Sequence, residues 1–381
     1  MSIVFHALRV ASIERDAEAL IIGFEVPLAL RKTFAFSAGQ YLTLRTFVAA
    51  RRPEAATSQR PPAEDDAQIS AGPTFPHEDL RRAYSICSAP DEPELRVGVR
   101  LLPGGAFSGW ATENLKVGDA LDVLPPSGRF SVPFMPQARR HLLFVAAGSG
   151  ITPILSLLKT TLAREPHSRC TLIYANRRLA TTMFRDALAE LKNRHLARFA
   201  AHYVFSREEQ DAPLFNGRLD RERMAGFLDT LVPAASVDEA FVCGPAGMID
   251  AVTAALADAG VADAHVHVER FGDSGTGAEH HVEARDADHA LVTLIIDGLA
   301  RQVEFRLSDP SILDAARRCG LEVPYACKAG VCSTCKGKLL EGEVRMDRNF
   351  ALTPAEVAQG FVLCCQSHPT SAKVMITLDQ R

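Results

Sequence analysis

Apolar and polar positions alternate in short runs along the N-terminal part of the chain. Within residues 1–45 these include EALIIGFEV and QYLTLR; RAYSICS, LRVGVRLL and DALDVLP follow. A period of two places alternate side chains on one face of a strand. Short runs of this kind, punctuated by Pro and Gly, predict an antiparallel β-barrel. Between two of them lies AARRPEAATSQRPPAEDDAQISAGPTFPHED, rich in Pro, Ala, Ser and charge. It offers little to a core and predicts a flexible insertion over about residues 48–79.

The pattern changes near Arg140. HLLFVAA is a continuous apolar run, as expected of a strand covered on both sides. GSGITP follows, then a helical pattern with Ile154, Leu157, Leu158 and Leu162 on one face. CTLIYAN, AHYVFS and EAFVCG repeat the buried-strand signal with helical stretches between them, which predicts a doubly wound α/β domain. After VHVERF, the polar GDSGTGAEHHVEARDADH reads as a linker. From Ala290 a third pattern begins: LVTLIID, a turn, RQVEFRLS, and a short helix with Pro310 near its start. The boundaries expected are 1–138 for the barrel, 139–272 for the α/β domain, 273–289 for the linker and 290–381 for the last domain.

Composition narrows the chemistry. The 381 residues are 47% hydrophobic, enough for several cores, and a net charge of −4 offers no electrostatic case for a nucleic-acid partner. MSIVFHALRV lacks the charged and apolar regions of a secretory signal, and no segment approaches the roughly 20 apolar residues of a membrane span. A soluble cytoplasmic protein with reduced thiols is expected, where clustered cysteines hold metal or do redox work.

YACKAGVCSTCKG brings Cys327, Cys332 and Cys335 together as C-x4-C-x2-C, the plant-type 2Fe–2S spacing. FVLCCQSHP offers a fourth thiolate in Cys364 or Cys365. Ala329, Gly330, Ser333 and Thr334 are small enough to let backbone N–H groups approach cluster sulfur. Structural zinc is the competing reading, but such sites pair their ligands in two halves rather than crowding three.

Other motifs say less alone. Gly148 and Gly150 in GSGITP allow a tight turn and a phosphate at a helix N-terminus, with Pro153 where a third Gly stands in the dinucleotide fingerprint. Cys243, Gly244 and Pro245 end another apolar strand, where ligands of doubly wound sheets sit; a buried cysteine before a turn reads the same way. RAYSICS supplies Arg82 for a phosphate, Tyr84 for a flat ring, and Ser85 and Ser88 for its edge. GGAFSGW adds a second phosphate-compatible turn with Gly105 and Ser108. Cys87, Cys170, Cys319 and one of Cys364 and Cys365 read as small core residues.

Together RRAYSICS, VAAGSGITPIL, EAFVCGPAGMID, HVERF and PYACKAGVCSTCKGKLLEGEV resemble, in this order, the ferredoxin–NADP reductase superfamily. The resemblance spans essentially the whole chain and extends to oxygenase reductases with a C-terminal plant-type ferredoxin domain of the α+β, β-grasp type. It implies FAD on the barrel, held by Arg82 at the pyrophosphate, Tyr84 on the isoalloxazine and Ser85 near its reactive nitrogen. Ser88, Val99, Gly105, Phe107 and Ser108 are the other FAD candidates. Gly148, Gly150, Thr152 and Pro153 would meet the nicotinamide nucleotide. Ser206 and Arg207 would grip the 2′-phosphate of NADPH, with Arg177 and Arg178 as helpers. Cys243, Gly244, Pro245, Glu269 and Phe271 would border the nicotinamide and flavin, with Ser85, Cys243 and Glu269 as the catalytic set. Family spacing, with 29 residues between the third and fourth ligands, selects Cys365 as fourth cluster ligand. The implied activity passes electrons from NADPH through FAD and a 2Fe–2S cluster to a di-iron oxygenase. The rivals are a reductase that serves another oxygenase or dioxygen and a non-catalytic iron–sulfur module, and Arg82, Tyr84, Ser85, Gly148 and Cys243 argue against the second.

Overall fold

A computed structural model describes residues 4–49, 77–272 and 281–380. The predicted Pro-rich insertion falls almost entirely outside the described residues. The alternating runs form six strands: β1 (His6–Asp16), β2 (Ala19–Glu25), β3 (Tyr41–Ala49), β4 (His77–Ser85), β5 (Leu95–Arg100) and β6 (Ala120–Val123). Helix α1 (Ala106–Asn114) lies between the last two. All pairings are antiparallel in the order β4-β3-β6-β1-β2-β5, and a bridge between Ile86 and Val97 joins the two ends into a barrel. Leu42 and Leu44 of β3 sit in the barrel core with Leu8, Ile22 and Val97. By alternation Tyr41, Thr43 and Arg45 face outward. On β4, Tyr84 and Arg82 lie opposite Leu42 and Leu44, while Ser85, Ala83 and Arg81 lie opposite Tyr41, Thr43 and Arg45.

The α/β domain runs β7 (His141–Ala147), α2 (Ile151–Arg164), β8 (Arg169–Asn176), α3 (Arg185–Arg194), β9 (Phe199–Phe205), α4 (Arg221–Thr230), β10 (Glu239–Gly244), α5 (Ala246–Asp258) and β11 (Val266–Arg270). The sheet is parallel, in the order β11-β10-β7-β8-β9. The chain winds one way from β7 to β8 and β9, then returns to lay β10 on the other side of β7. The gap between β7 and β10 is thus the switch point where such sheets bind ligands. Ile154, Leu157, Leu158 and Leu162 are buried, as the helical periodicity of α2 requires.

This domain is not packed apart from the barrel. Ala19, Ile21, Cys87 and Phe130 share one core with Phe144, Ile154 and Leu158. At the edge of that contact Ser156 Oγ donates to the Ser88 carbonyl at 2.6 Å, and Lys159 and Arg164 pair with Glu92 and Asp91, both at 2.8 Å.

The third domain contains β12 (His289–Ile296), β13 (Leu299–Arg306), α6 (Ile312–Arg318), β14 (Lys336–Glu341), β15 (Val344–Met346), α7 (Pro354–Ala358), β16 (Phe361–Leu363), β17 (Ser367–Pro369) and β18 (Lys373–Thr377). Its main sheet is ordered β13-β12-β18-β14-β16, with β12 and β18 parallel and the rest antiparallel, and β15 pairs with β17. Asp297 and Gly298, both at positive φ, make the two-residue β12–β13 turn. Ser311 caps α6: its Oγ accepts from Asp314 N at 3.2 Å, and Pro310 stands just before the cap, near the helix start as expected. The described end of the predicted linker is anchored to this domain, because buried Arg345 binds Asp286 and the His281 carbonyl.

Candidate functional site

Three walls meet at the switch point. β7 leads into the Gly148–Gly150 turn, and Gly148 takes φ +52°, a left-handed conformation glycine adopts without strain. Gly150 is required for a different reason: a Cβ there would stand 2.1 Å from the Cys243 carbonyl oxygen. The turn is therefore pressed directly onto the end of β10. Thr152 is buried, its hydroxyl donates to the Ser149 carbonyl at 3.0 Å, and its methyl group lies against Gly98 of the barrel. Pro153 is buried in the first turn of α2. Beyond Cys243, Gly244 and the exposed Pro245 lead into α5.

The second wall is β11. Register places Glu269 directly beside Cys243. The third is the end of β4, where Ser85 Oγ donates to Glu269 Oε2 at 3.0 Å. Ser85, Cys243 and Glu269, far apart in sequence, thus lie together. Burial pushes the Glu269 carboxyl up to about 8, outweighing the Ser85 hydrogen bond, so it carries a proton at neutral pH. Burial pushes the Cys243 thiol well above its usual range and keeps it protonated, and Glu269, where ionised, adds to this. Phe271, just past β11, is exposed.

Arg82 and Tyr84 occupy the other face of β4. The half-buried Tyr84 ring lies 5.2 Å from Phe107, which packs in the barrel core with Val99. Arg82 Nη1 donates to the Arg81 carbonyl at 2.8 Å, and among the described residues no carboxylate pairs with it. An unneutralised guanidinium there suits an anion. Gly105 caps α1 in extended backbone, where any Cβ would meet Ser108 Oγ at 2.4 Å, and Ser108 Oγ accepts from Leu102 N at 3.3 Å. Ser88 is not gathered with them: its buried hydroxyl accepts from Arg96 N at 3.0 Å inside the barrel. The sequence signal for it was proximity in the motif, but its face of the chain is occupied.

At the far end of the α/β sheet, Ser206 N and Arg207 N donate to the carbonyls of Asn176 and Arg177 at 3.0 and 2.9 Å. These bonds align the exits of β8 and β9 and bring Arg177, Arg178 and Arg207 to one exposed edge. None of the three meets a carboxylate among the described residues.

The cysteine loop is shaped by three left-handed residues, Lys328 (φ +53°), Gly330 (φ +74°) and Ser333 (φ +49°). Two are not glycine, a strain that persists only where surroundings impose it. The loop turns its N–H groups inward: Ala329 N donates to Cys327 Sγ at 3.3 Å. Interaction with the Cys332 thiol, joined by the N–H groups of Ala329, Val331 and Cys332, pulls the Cys327 thiol down to about 6. The thiols stand in two interacting pairs, Cys327 with Cys332 and Cys335 with Cys365. Two thiol pairs fit a centre of two irons with four thiolate ligands. β16 ends at Leu363, and Cys364 to Gln366 form a turn closed by Gln366 N on the Leu363 carbonyl at 2.9 Å. The turn still separates the two cysteines, since Cys365 meets Cys335 while the Cys364 backbone bonds Cys335 O and Leu313 N.

This loop is seated on the barrel. Tyr41 and partly buried Ala83 pack with Ala326, Cys327 and Cys332. Arg81 lies under the Tyr325 ring, 4.4 Å from its centre, and Arg45 and Arg81 both approach Glu322 at 3.6 Å. From the α/β side, Gly272 touches the loop so closely that a Cβ would stand 2.8 Å from the Ala329 Cβ. Sequence reasoning missed Tyr41 and Gly272; an aromatic on the outward face of a barrel strand was the available signal for the first.

Comparison with known proteins agrees with this layout. Residues 294–370 match the 2Fe-2S iron-sulfur cluster binding domain, and residues 144–254 match the oxidoreductase NAD-binding domain. The chain is 40% identical over 380 residues to one of the subunits of 1,2-phenylacetyl-CoA epoxidase from Escherichia coli (strain K12), covering 99% of this chain and 98% of that protein. The chain belongs to the flavin and iron–sulfur reductases of multicomponent oxygenases. The ferredoxin reductase component of 3-ketosteroid-9-alpha-monooxygenase from Rhodococcus rhodochrous is 31% identical, over 96% of this chain and 94% of that one. In fold, the chain is similar to phthalate dioxygenase reductase (TM-score 0.57, 23% identity, 98% of each chain). It is also similar to part of an intact type IV self-sufficient cytochrome P450 monooxygenase (TM-score 0.63, 21% identity, 98% of this chain and 41% of that one). As a member of this family the chain is an oxidoreductase that uses FAD, a nicotinamide nucleotide and a 2Fe–2S cluster to move electrons, and an oxygenase component is the partner such a reductase serves. No helix among the described residues is long and apolar enough to cross a membrane.

Proposed function

We propose that this chain draws electrons from NADPH and delivers them to a di-iron oxygenase that epoxidises the aromatic ring of phenylacetyl-CoA. Full-length identity of 40% to the epoxidase component supports that choice of acceptor over the steroid monooxygenase system at 31%. Arg82 would bind the FAD pyrophosphate together with the Gly105–Ser108 turn. Tyr84 would stack on the flavin ring, with Val99 and Phe107 behind it. Gly148, Gly150, Thr152 and Pro153 would form the floor for the nicotinamide nucleotide, and Gly244 and Pro245 its rim. Ser85, Cys243 and Glu269 would surround the point of hydride transfer, and Phe271 would cover it. Cys327, Cys332, Cys335 and Cys365 would ligate the cluster. Flavin accepts two electrons at once and releases them singly, and the cluster carries one at a time.

The observation that carries the reading is the contact of the cysteine loop with both neighbouring domains, with the barrel at Tyr41 and with the α/β domain at Gly272. The test is reconstitution. Purified chain with FAD and iron should reduce the phenylacetyl-CoA oxygenase components from NADPH and support epoxide formation. Efficient coupling to a steroid oxygenase with none to the phenylacetyl-CoA system would overturn the acceptor assignment.

A further inference from the structure

Tyr41 lies where the barrel meets the cluster loop from beneath. It is buried, at 7% exposure, yet it belongs to no domain core: its apolar neighbours are Ala326 and Cys332, with Ala83 and Cys327 at the margin. Its hydroxyl donates to the Cys332 carbonyl and lies 3.3 Å from Thr334 Oγ1. Its backbone is held on both sides by Ser127, through Tyr41 N to Ser127 O at 2.8 Å and Ser127 N to Tyr41 O at 3.0 Å. The ring lies against Gly128, where a Cβ would stand 3.1 Å from its Cδ1. Register places Tyr41 directly opposite Ser85, so the two side chains leave the sheet on the same face.

We propose that Tyr41 is the positioning residue for electron transfer from flavin to cluster, holding the Cys332 backbone in register with the flavin strand. The inference rests on the cofactor assignment above. One NADPH yields NADP⁺, one proton released to solvent and two electrons, which leave through the cluster in two single steps. Neither step makes or breaks a bond at Tyr41. Its ring sets the separation of the loop from β4, and its hydroxyl adds a donor beside a cluster ligand, which favours the more negative, reduced cluster.

The test compares native chain with Tyr41→Phe, which keeps the ring, and Tyr41→Leu, which loses it, each loaded with FAD and iron. FAD and iron content should be full in all three, and reduction of flavin by NADPH should change by less than about twofold, since the nicotinamide walls are untouched. The following cluster reduction should slow by about tenfold or more in Tyr41→Phe and further in Tyr41→Leu, the scale expected of a small misplacement. The cluster potential should fall in Tyr41→Phe, a change that loose packing alone would not produce. Amide exchange over residues 326–334 should be slow in native chain and faster in both variants. Cluster reduction and potential unchanged in Tyr41→Phe would overturn the role of Tyr41. A native chain holding FAD and iron that NADPH cannot reduce would instead overturn the functional reading, and this one with it.

Discussion

At the scale of single residues, the adjacent Cys364 and Cys365 divide ligation from packing. Cys365 meets the Cys335 thiol; Cys364 is fully buried in the ferredoxin core. Cys365→Ser is expected to lose the cluster while FAD stays bound and reducible by NADPH. Cys364→Ser is expected to keep two irons per chain, at about 1–3 kcal/mol for a buried hydroxyl. Iron analysis and the reduced-state paramagnetic signal distinguish them, and the reverse pattern would reassign the ligand. Glu269 has a pH signature. Its folded pKa is about 8 against 4.5 as the ordinary value, so the folded chain holds a proton that the unfolded chain has lost between those values. Stability contributed by this group therefore falls as pH rises from 4.5 through about 8. Glu269→Gln should flatten that fall, and an inflection near pH 8 in the rate of flavin reduction should disappear with it. An unchanged inflection would point to another group.

At the scale of elements, most of the molecule was legible because period and burial coincide. β2, β5 and β7 follow their apolar runs, α2 buries the stripe its periodicity draws, and the Asp297–Gly298 turn supplies the left-handed residues its hairpin needs. Cys327, Cys332 and Cys335 were legible because ligand spacing is local. What stayed hidden depends on a neighbour brought in by tertiary structure. Ser88 looked available until Arg96 N occupied it. β16 stops where a turn serves the Cys335–Cys365 contact, which no pattern in FVLCCQ announces. β3 and β4 are two-faced, and alternation alone could not say that their outward face would meet a third domain instead of water. The exits of β8 and β9 are a further case: backbone bonds from Ser206 and Arg207 to Asn176 and Arg177 collect three arginines. Arg207→Ala should weaken NADPH by about 10- to 150-fold, the value of one charge-assisted contact of about 1.5–3 kcal/mol, and leave NADH nearly unchanged. Steady-state KM for the two nucleotides decides it, and equal losses would remove Arg207 from the 2′-phosphate site.

At the scale of the whole molecule, the ferredoxin domain is held against the barrel by contacts of unequal kind. Glu322 is too exposed for its pairs with Arg45 and Arg81 to contribute much, being screened by water and salt. Glu356 is different. It accepts from Arg129 Nη1 at 3.1 Å and Nη2 at 3.0 Å across the domain boundary, from Thr353 N at 2.8 Å within its own capping box, and from Lys336 at 3.2 Å. Arg129, first, then the Thr353 N–H and Lys336 hold its carboxyl down at about 2 against an ordinary 4.5. A depressed acid contributes its full stability above the unfolded value and loses it as pH falls through the folded one. The contribution of Glu356 is thus complete above 4.5 and disappears toward about 2. Removing Arg129 takes away the largest cause and the only one that reaches from the barrel, while Thr353 and Lys336 remain to hold α7. Arg129→Ala should therefore move the acid midpoint for loss of the flavin-to-cluster step upward, toward 4.5, with little change at neutral pH. The cluster's own acid lability is common to both proteins, so the comparison is of midpoints for electron transfer at equal iron content. Identical acid midpoints in the two proteins would mean that the Arg129–Glu356 bridge plays no part in docking, and that other contacts, among them those of Tyr41, Tyr325 and Gly272, hold the domain.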